Sequence, residues 1–397
     1  MINPTKNNPI KYLLFYSLYF SEGLMIAITT AVTTVFLREQ GIPIPETTLV
    51  VGIINMPWVL KFLWGPIIDK YKKFGRKSFI ISGGLLAAFS MMLVSIFDPA
   101  YSIIPFTFLI FIGHVGIGFT DLATDAWAIE ISTKKDRGKI NGAMYGGLYS
   151  AWAFGAAFLL YIASNYGYNM AYFVTGLLIL IIITIPLFVK EIIKIKEKPQ
   201  IKNLLVKEFK KTKNQLIAFY APLVFMNEGI LAFIMPIFMK DQLGLEAVQI
   251  GLITAILPIM LAIGSFIGGT ITDKIGRNKT LYIFISINII FTGSLIFVDN
   301  WMKLSIIYAI IGFIMGSYQT VSCALFMDAT NPKIAATQYG IFAGVGNLGV
   351  NGGGMLTGVM VASLGFSRTF LYAGWVFGPA LLILYFIRTE KNDNKKV

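Results

Sequence analysis

An all-α polytopic membrane protein is predicted, with twelve transmembrane helices forming two pseudo-symmetric six-helix bundles and both termini cytoplasmic; three observations predict it. Of the 397 residues only 13% are charged and 56% are hydrophobic, whereas a soluble domain carries about a quarter charged. Apolar runs of about 20 residues, the length that crosses a hydrocarbon core, recur along the whole chain. Polar motifs of the first half return in the second. A β-barrel would need ten-residue segments of alternating polarity, and runs such as LLILIIITIPLFV at 177–189 do not alternate.

The spans are predicted at 13–36, 48–68, 78–97, 102–130, 139–164, 169–189, 215–238, 247–271, 280–298, 304–329, 338–363 and 369–387. The first run is too long for a signal-peptide core and has no small-residue cleavage site, so it is read as a permanent helix. With the amino terminus inside, 28 of the 33 Lys and Arg residues fall in cytoplasmic segments. The outer loops hold only Arg38, Lys240, Lys303 and Arg368, and Lys61 lies within the second span. That asymmetry sets the orientation in a plasma membrane and accounts for the net charge of +13, leaving a nucleic-acid partner nothing to explain. The lone cysteine, Cys323, excludes internal disulfides and is read as a small packing residue.

The domain organisation follows: an N-terminal bundle over 1–189, a basic cytoplasmic linker over 190–214 and a C-terminal bundle over 215–397. In the linker, Ile201, Leu204, Leu205 and Phe209 spaced against lysines suit an interfacial amphipathic helix, and a solvated basic linker fits the same residues. Between the halves, GPIIDK and GRK at 65–77 match GTITDKIGRNK at 269–279, with Asp69 and Asp273 204 residues apart and Arg76 and Arg277 201 apart. GFTDLATDAWAIE at 118–130 aligns with GSYQTVSCALFMD at 316–328 at an offset of 198, placing Glu130 opposite Asp328. Duplicated helical halves are the usual build of a secondary transporter whose solute site lies near the midplane.

The second copy, Gly269, Asp273, Lys274, Gly276, Arg277 and Lys279 at their spacing, resembles the loop signature of the major facilitator superfamily, and both copies lie where that superfamily carries it. The resemblance implies the major facilitator fold, and a gate at the cytoplasmic helix ends that holds the halves together when the transporter opens outward. Asp69, Arg76, Glu130, Asp273, Arg277 and Asp328 are its expected charge clusters, with Glu130 and Asp328 as partners of Arg76 and Arg277 respectively. In the first copy Tyr71, Lys72, Lys73 and Phe74 stand where one residue is usual. LKFLWGPIIDKY followed by FGRK, and DLATDAWAIE followed by RG, are similar to the muropeptide permeases of the AmpG type and to the acetyl-CoA transporters. This closer likeness is concentrated in the first 150 residues.

Charge inside a bilayer costs about 2.5 to 3.5 kcal/mol on insertion scales, so it persists where it faces water or a partner. The candidates are Glu22 in the first span, Lys61 in the second, Asp121 and Asp125 in the fourth, and Glu228 in the seventh. In the superfamily fold the first, fourth, seventh and tenth helices line the cavity, which makes these residues the candidate proton-coupling and solute site. Asp121 and Asp125 share a helix face at i, i+4, so one can hold a proton, and Lys61 is expected to partner these two aspartates, with Asp125 placed for a salt bridge. Glu22 is not supplied by the resemblance, since the permeases usually carry a small polar residue there. His114 lies two turns before Asp121 and reads either as a relay or as a hydrogen-bonded packing residue. Tyr145, Asn227, Gln319 and Asn347 offer neutral hydrogen bonds to a ligand or between helices. Trp58 can stack on a solute; Trp64 and Trp127 read as interfacial anchors.

The expected function is proton-coupled import of a bulky polar solute by alternating access, with a muropeptide-like, peptide or acetyl-CoA-like substrate, no cofactor, and a monomer in the lipid bilayer. A drug or metabolite exporter is the alternative, although GAMYGGLYSAWAFGAAF at 142–158 lacks the proline of the antiporter signature. A membrane enzyme is disfavoured, because one histidine and one cysteine supply no usual metal site. No P-loop is present to use ATP, and a non-transporting receptor on the same scaffold is a further reading.

Overall fold

The computed structural model describes residues 9–64, 67–68, 71–97, 99–131, 137–191, 201–331 and 335–387, and its elements are helices. They run in chain order as α1 (Pro9–Glu39), α2 (Ile44–Leu60), α3 (Arg76–Val94), α4 (Pro99–Ile131), α5 (Arg137–Tyr166) and α6 (Tyr168–Ile182). The short linker helix α7 (Ile201–Phe209) comes next, and then α8 (Thr212–Asp241), α9 (Ala247–Ile275), α10 (Arg277–Ser294), α11 (Trp301–Ala329), α12 (Ala335–Trp375) and α13 (Phe377–Phe386). Among the described residues ten spans are long and apolar enough to cross a membrane, and Ile44–Leu60 is apolar but shorter. One of the ten, Gln338–Phe386, contains a break at Gly365 (φ +79°) where the sequence predicts the division between two helices.

By compactness the chain divides into two units, Met1–Lys196 with Phe233–Ile259, and Glu197–Ala232 with Met260–Val397. The first unit is built on α1 packed against α5, and on α3 between α4 and α6. Leu14, Phe15, Leu18, Ile80, Ala123, Met144 and Leu148 form part of its core. Trp127 belongs to that core too, 1% exposed and edge-on to Phe15 at 6.1 Å, so it is a packing residue rather than an interfacial anchor.

Close helix approach depends on glycine, because helices in lipid gain by packing rather than by hiding from water. A Cβ on Gly23 of α1 would lie 2.2 Å from the Leu148 carbonyl oxygen of α5, and one on Gly147 would lie 2.1 Å from that of Tyr16. In the second unit a Cβ on Gly229 of α8 would meet the Val350 oxygen of α12 at 1.7 Å, and one on Gly349 the Pro222 oxygen at 2.0 Å. The glycine before the arginine in each signature copy has a different duty. Gly75 and Gly276 have φ of +83° and +84° and stand at the starts of α3 and α10, a conformation that L side chains rarely adopt.

Two local departures from α geometry bear on the site. Ile28–Thr33 of α1 is a π-helical turn, and the hydroxyls of Thr33 and Thr34 donate to the carbonyls of Ile28 (2.8 Å) and Thr29 (3.3 Å), five residues back. In α2, Pro57 removes one backbone donor, and the chain tightens into a 3-10 turn at Lys61–Leu63.

The linker helix docks within the second unit. Phe209 packs tilted against Phe342, ring centroids 5.6 Å apart, while Glu208, only 5% exposed, pairs with Lys211 at 2.6 Å and accepts from Asn331 at 2.9 Å. The Lys211 hydrogen bond, followed by that of Asn331, holds the Glu208 carboxyl below its usual range.

Candidate functional site

Five of the predicted residues meet in the first unit. Lys61, turned by the 3-10 segment after α2, sets its Nζ 3.2 Å from Oδ2 of Asp121 on α4. The expected pairing with Asp125 is therefore corrected. Asp121, 4% exposed, takes the ammonium, and Asp125, four residues on, accepts a 2.5 Å hydrogen bond from the hydroxyl of Tyr19 on α1. Glu22, one turn after Tyr19, reaches Asp121 from the same helix. Tyr145 of α5 is 47% exposed and lies edge-on to Tyr19 at 6.1 Å. One ammonium thus faces three carboxyl groups, and the cluster is neutral only when two of them carry protons. Unpaired charge in a membrane interior is costly.

His114 is placed apart from this cluster. The Trp58 indole N–H, which can only donate, gives its hydrogen to Nδ1 at 2.9 Å, leaving Nε2 to donate to the Thr29 hydroxyl at 2.7 Å. Both ring nitrogens are used and the residue is fully buried, so it ties α4 to α1 and α2. Lys61 also stands 5.8 Å from the Trp58 ring, close enough for a cation–π contact.

In the second unit, Glu228 of α8 accepts from the Gln319 amide of α11 at 2.8 Å. Its neighbour Asn227 points elsewhere. Fully buried, it donates to the Ala373 carbonyl at 3.2 Å and accepts from Asn288 at 3.1 Å, which makes it an interhelical tie rather than part of an open solute surface. Asn347 lies half-buried on α12.

The signature residues lie at helix ends. Arg277 forms an ion pair with Asp328 and donates to the Ala324 carbonyl at 2.7 Å. Arg76, 4% exposed, donates to the Ile68 carbonyl at 3.3 Å. Its backbone N–H and that of Lys77 donate to the Glu191 carboxylate, at 2.5 and 3.1 Å, a cap on the positive end of α3. A Cβ on Gly75 would stand 2.5 Å from that carboxylate. Asp69 lies outside the described residues, as do the side chains of Glu130 and Asp273.

At the opposite ends, Arg38 of α1 donates to Asp241 of α8 from Nη2 at 2.6 Å and from Nε at 3.0 Å, and Lys240 pairs with Glu39 at 2.9 Å. The basic–acidic dipeptides 38–39 and 240–241 stand 202 residues apart, so each copy's cation meets the other copy's anion. Sequence reading missed this clasp, together with Tyr19 and Glu191. The paired dipeptides and the i, i+3 spacing of Tyr19 and Glu22 were the available signals. Among the described residues no group of three or more His, Cys, Asp or Glu side chains is disposed to hold a metal.

The family model of the Major Facilitator Superfamily matches residues 15–222 and again 217–397. The chain belongs to that superfamily. Among similar proteins of this family, the anhydromuropeptide permease of Escherichia coli (strain K12) is 22% identical over 94% of this chain and 80% of its own length. A transporter named AmpG 4 from Rickettsia conorii is 24% identical over 94% of this chain and 95% of its own. Multidrug resistance protein 2 of Bacillus subtilis (strain 168) is 25% identical over 81% of each chain. The fold is shared with a bacterial homologue of the lysosomal transporter Spinster in its inward-facing form (TM-score 0.70, 15% identity, 96% and 97% of the two chains). It is also shared with the nucleoside transporter NupG (TM-score 0.73, 14% identity, 96% and 100%). These relatives are transporters, and the membrane-enzyme alternative falls with them.

Proposed function

We propose that this superfamily member is a proton-coupled secondary transporter that imports a bulky polar solute across the plasma membrane by alternating access. It crosses the bilayer twelve times with both termini in the cytoplasm, and it works as a monomer. The observation that carries the reading is the group of Glu22, Asp121 and Asp125 around the single ammonium of Lys61. A group that is balanced only by taking up protons, and that shares them through the hydrogen bonds of Tyr19 and Lys61, supplies the coupling step. Arg277–Asp328 in the second unit and Arg76 at the start of α3 in the first each serve as cytoplasmic gating charges within their own unit, and the Arg38–Asp241 and Glu39–Lys240 pairs within the first unit close its outer end. AmpG-type relatives over nearly the whole chain support a muropeptide-like or peptide solute.

The exporter reading rests on the Bacillus relative and predicts proton antiport. Proteoliposomes with an imposed proton gradient separate the two. Anhydromuropeptide or small-peptide uptake that follows protons inward is expected, and it is lost in Asp125→Asn. Gradient-independent movement, or equal transport by the variant, overturns the coupling. Solute moving against the proton flow selects export.

A further inference from the structure

The two halves hold one contact in two chemistries. Glu22 and Glu228 stand 206 residues apart, each followed by a glycine that lies against a carbonyl of the facing helix, Leu148 for Gly23 and Val350 for Gly229. Those carbonyls are themselves 202 residues apart, so the two glutamates are equivalent in packing as well as in sequence. The partner on the next helix is Asp121 in one half and Gln319 in the other, 198 residues on, the offset of the repeat that contains them. At the offset of 204 that relates Asp69 to Asp273, Lys61 corresponds to Ser265, whose hydroxyl is turned to the Gly316 carbonyl at 3.3 Å.

The second corner therefore lacks the lysine that balances the first, and lacks its additional acids too: Ser265, Gln319 and Cys323 stand at the positions of Lys61, Asp121 and Asp125. Gln319 fixes one oxygen of Glu228 without neutralising it, and among the described residues no lysine or arginine forms an ion pair with that carboxylate. Glu228 is half-buried, so it is not sealed between helices as Asn227 is. A carboxylate held in a membrane interior by a neutral donor, with no fixed cation paired to it, is balanced by a proton or by a cation that arrives and leaves, and the half-buried setting of Glu228 leaves it open to the second.

We infer that Glu228, oriented by Gln319, is the subsite for a protonated amine of the transported solute. The proton-handling role belongs to the α1–α4 corner, which has its own lysine and additional acids. The inference rests on the transporter reading and narrows it, because the solute then carries a primary ammonium as a cation or zwitterion, and an acidic solute without an amine is excluded.

The test uses four probes on the full chain in proteoliposomes: Ala-Ala-Ala, its amide, its N-acetyl derivative and its N-acetyl amide. Binding is read by thermal stabilisation and uptake by an imposed proton gradient. The free-amine pair is expected to bind at least about tenfold tighter than the acetylated pair, and Glu228→Gln is expected to erase that preference while the variant still folds. In a second variant, Gln319→Lys, a tethered ammonium pairs with Glu228. It is expected to raise the melting temperature and to block the free-amine probes, a readout that needs no ligand. Equal binding of acetylated and free peptides, binding of none of the four, or an amine preference that survives Glu228→Gln overturns the subsite. Gradient-driven uptake of acetylated and free peptides alike overturns the subsite and leaves the transporter reading standing. No gradient-driven movement of these probes or of anhydromuropeptide in the parent protein overturns both.

Discussion

The corner where α1 meets α4 and the corner where α8 meets α11 share a backbone design and differ in charge. In both, a glutamate is followed by a glycine that brings its helix onto a carbonyl of the facing helix, and in both the glutamate reaches a polar residue of a third helix. The first corner adds Lys61 and two further acids, Asp121 and Asp125, whereas the second has Ser265, Gln319 and Cys323 at those positions. The shared scaffold places a carboxylate in each half, and differences at three positions set what surrounds it. Packing is where the halves agree, and electrostatics is where they divide labour.

The largest expected effect tests that division directly. Asp121→Asn strips Lys61 of its ion-pair partner, and gradient-driven uptake is expected to fall by about two orders of magnitude, against about tenfold for Gln319→Ala. Equal losses would break the comparison. The shared scaffold is tested by Gly23→Ala and Gly229→Ala, since the added methyl groups would meet carbonyl oxygens at 2.2 and 1.7 Å. Each is expected to cost about 1 to 3 kcal/mol in thermal unfolding in detergent, with similar values in the two halves. A loss confined to one half would show that the two glycines are not equivalent.

A smaller effect is expected at the clasp. Arg38→Asp and Asp241→Arg should each raise cysteine accessibility from the α1 and α8 ends by a few-fold, and the double reversal should restore it. Failure of the double variant to restore would remove the ion pair as the cause. The smallest effect lies in neither corner. The Glu208 carboxyl is held below its ordinary value of 4.5 by Lys211 and then Asn331. A lowered value means that its stabilisation of the docked linker is complete above the unfolded value and is lost as the pH falls through the folded one. Protease nicking of the linker should therefore stay constant from neutral pH to about pH 5 and rise below pH 4.5 in the parent. Glu208→Gln should flatten that profile, and an unchanged profile would assign the docking to Phe209 alone.

Composition and the repeated signature made the superfamily and its helical build legible, because a bilayer imposes its length and polarity on every span. The charges were legible for the same reason: five ionisable residues inside apolar runs stand out without any knowledge of packing. Their partners were harder to read. Lys61 pairs with one of the two expected aspartates, Asp121 rather than Asp125, because the 3-10 turn after Pro57 resets the level of its side chain, a change that a count at α-helical pitch does not contain. Asn227 and Glu228 are adjacent and equally polar, yet one is sealed against α10 and the other meets Gln319. Telling them apart requires the phase of the helix, and in lipid both faces of a helix are apolar, so the periodicity that reveals phase in a soluble protein is lost. Tyr19 was hidden among 18 tyrosines, and Glu191 sits in a linker whose charges read as orientation signals.

The four extra residues between glutamate and clasp in α1 give the two glutamates different electrical positions, an offset that the π turn shortens slightly. Sixteen residues separate Glu22 from Arg38, and Ile28–Thr33 lies between them, whereas twelve separate Glu228 from Lys240. Measured along each helix from its clasped end, α1 carries its carboxylate about one turn farther, on the order of 6 Å. That length is about a fifth of a hydrocarbon core of roughly 30 Å. A unit charge carried from the clasp to Glu22 therefore crosses about 0.5 kcal/mol more of a 100 mV membrane potential than one carried to Glu228. On the proposed reading, voltage would weigh on the two sites unequally, and proton entry would gain more from it than solute entry.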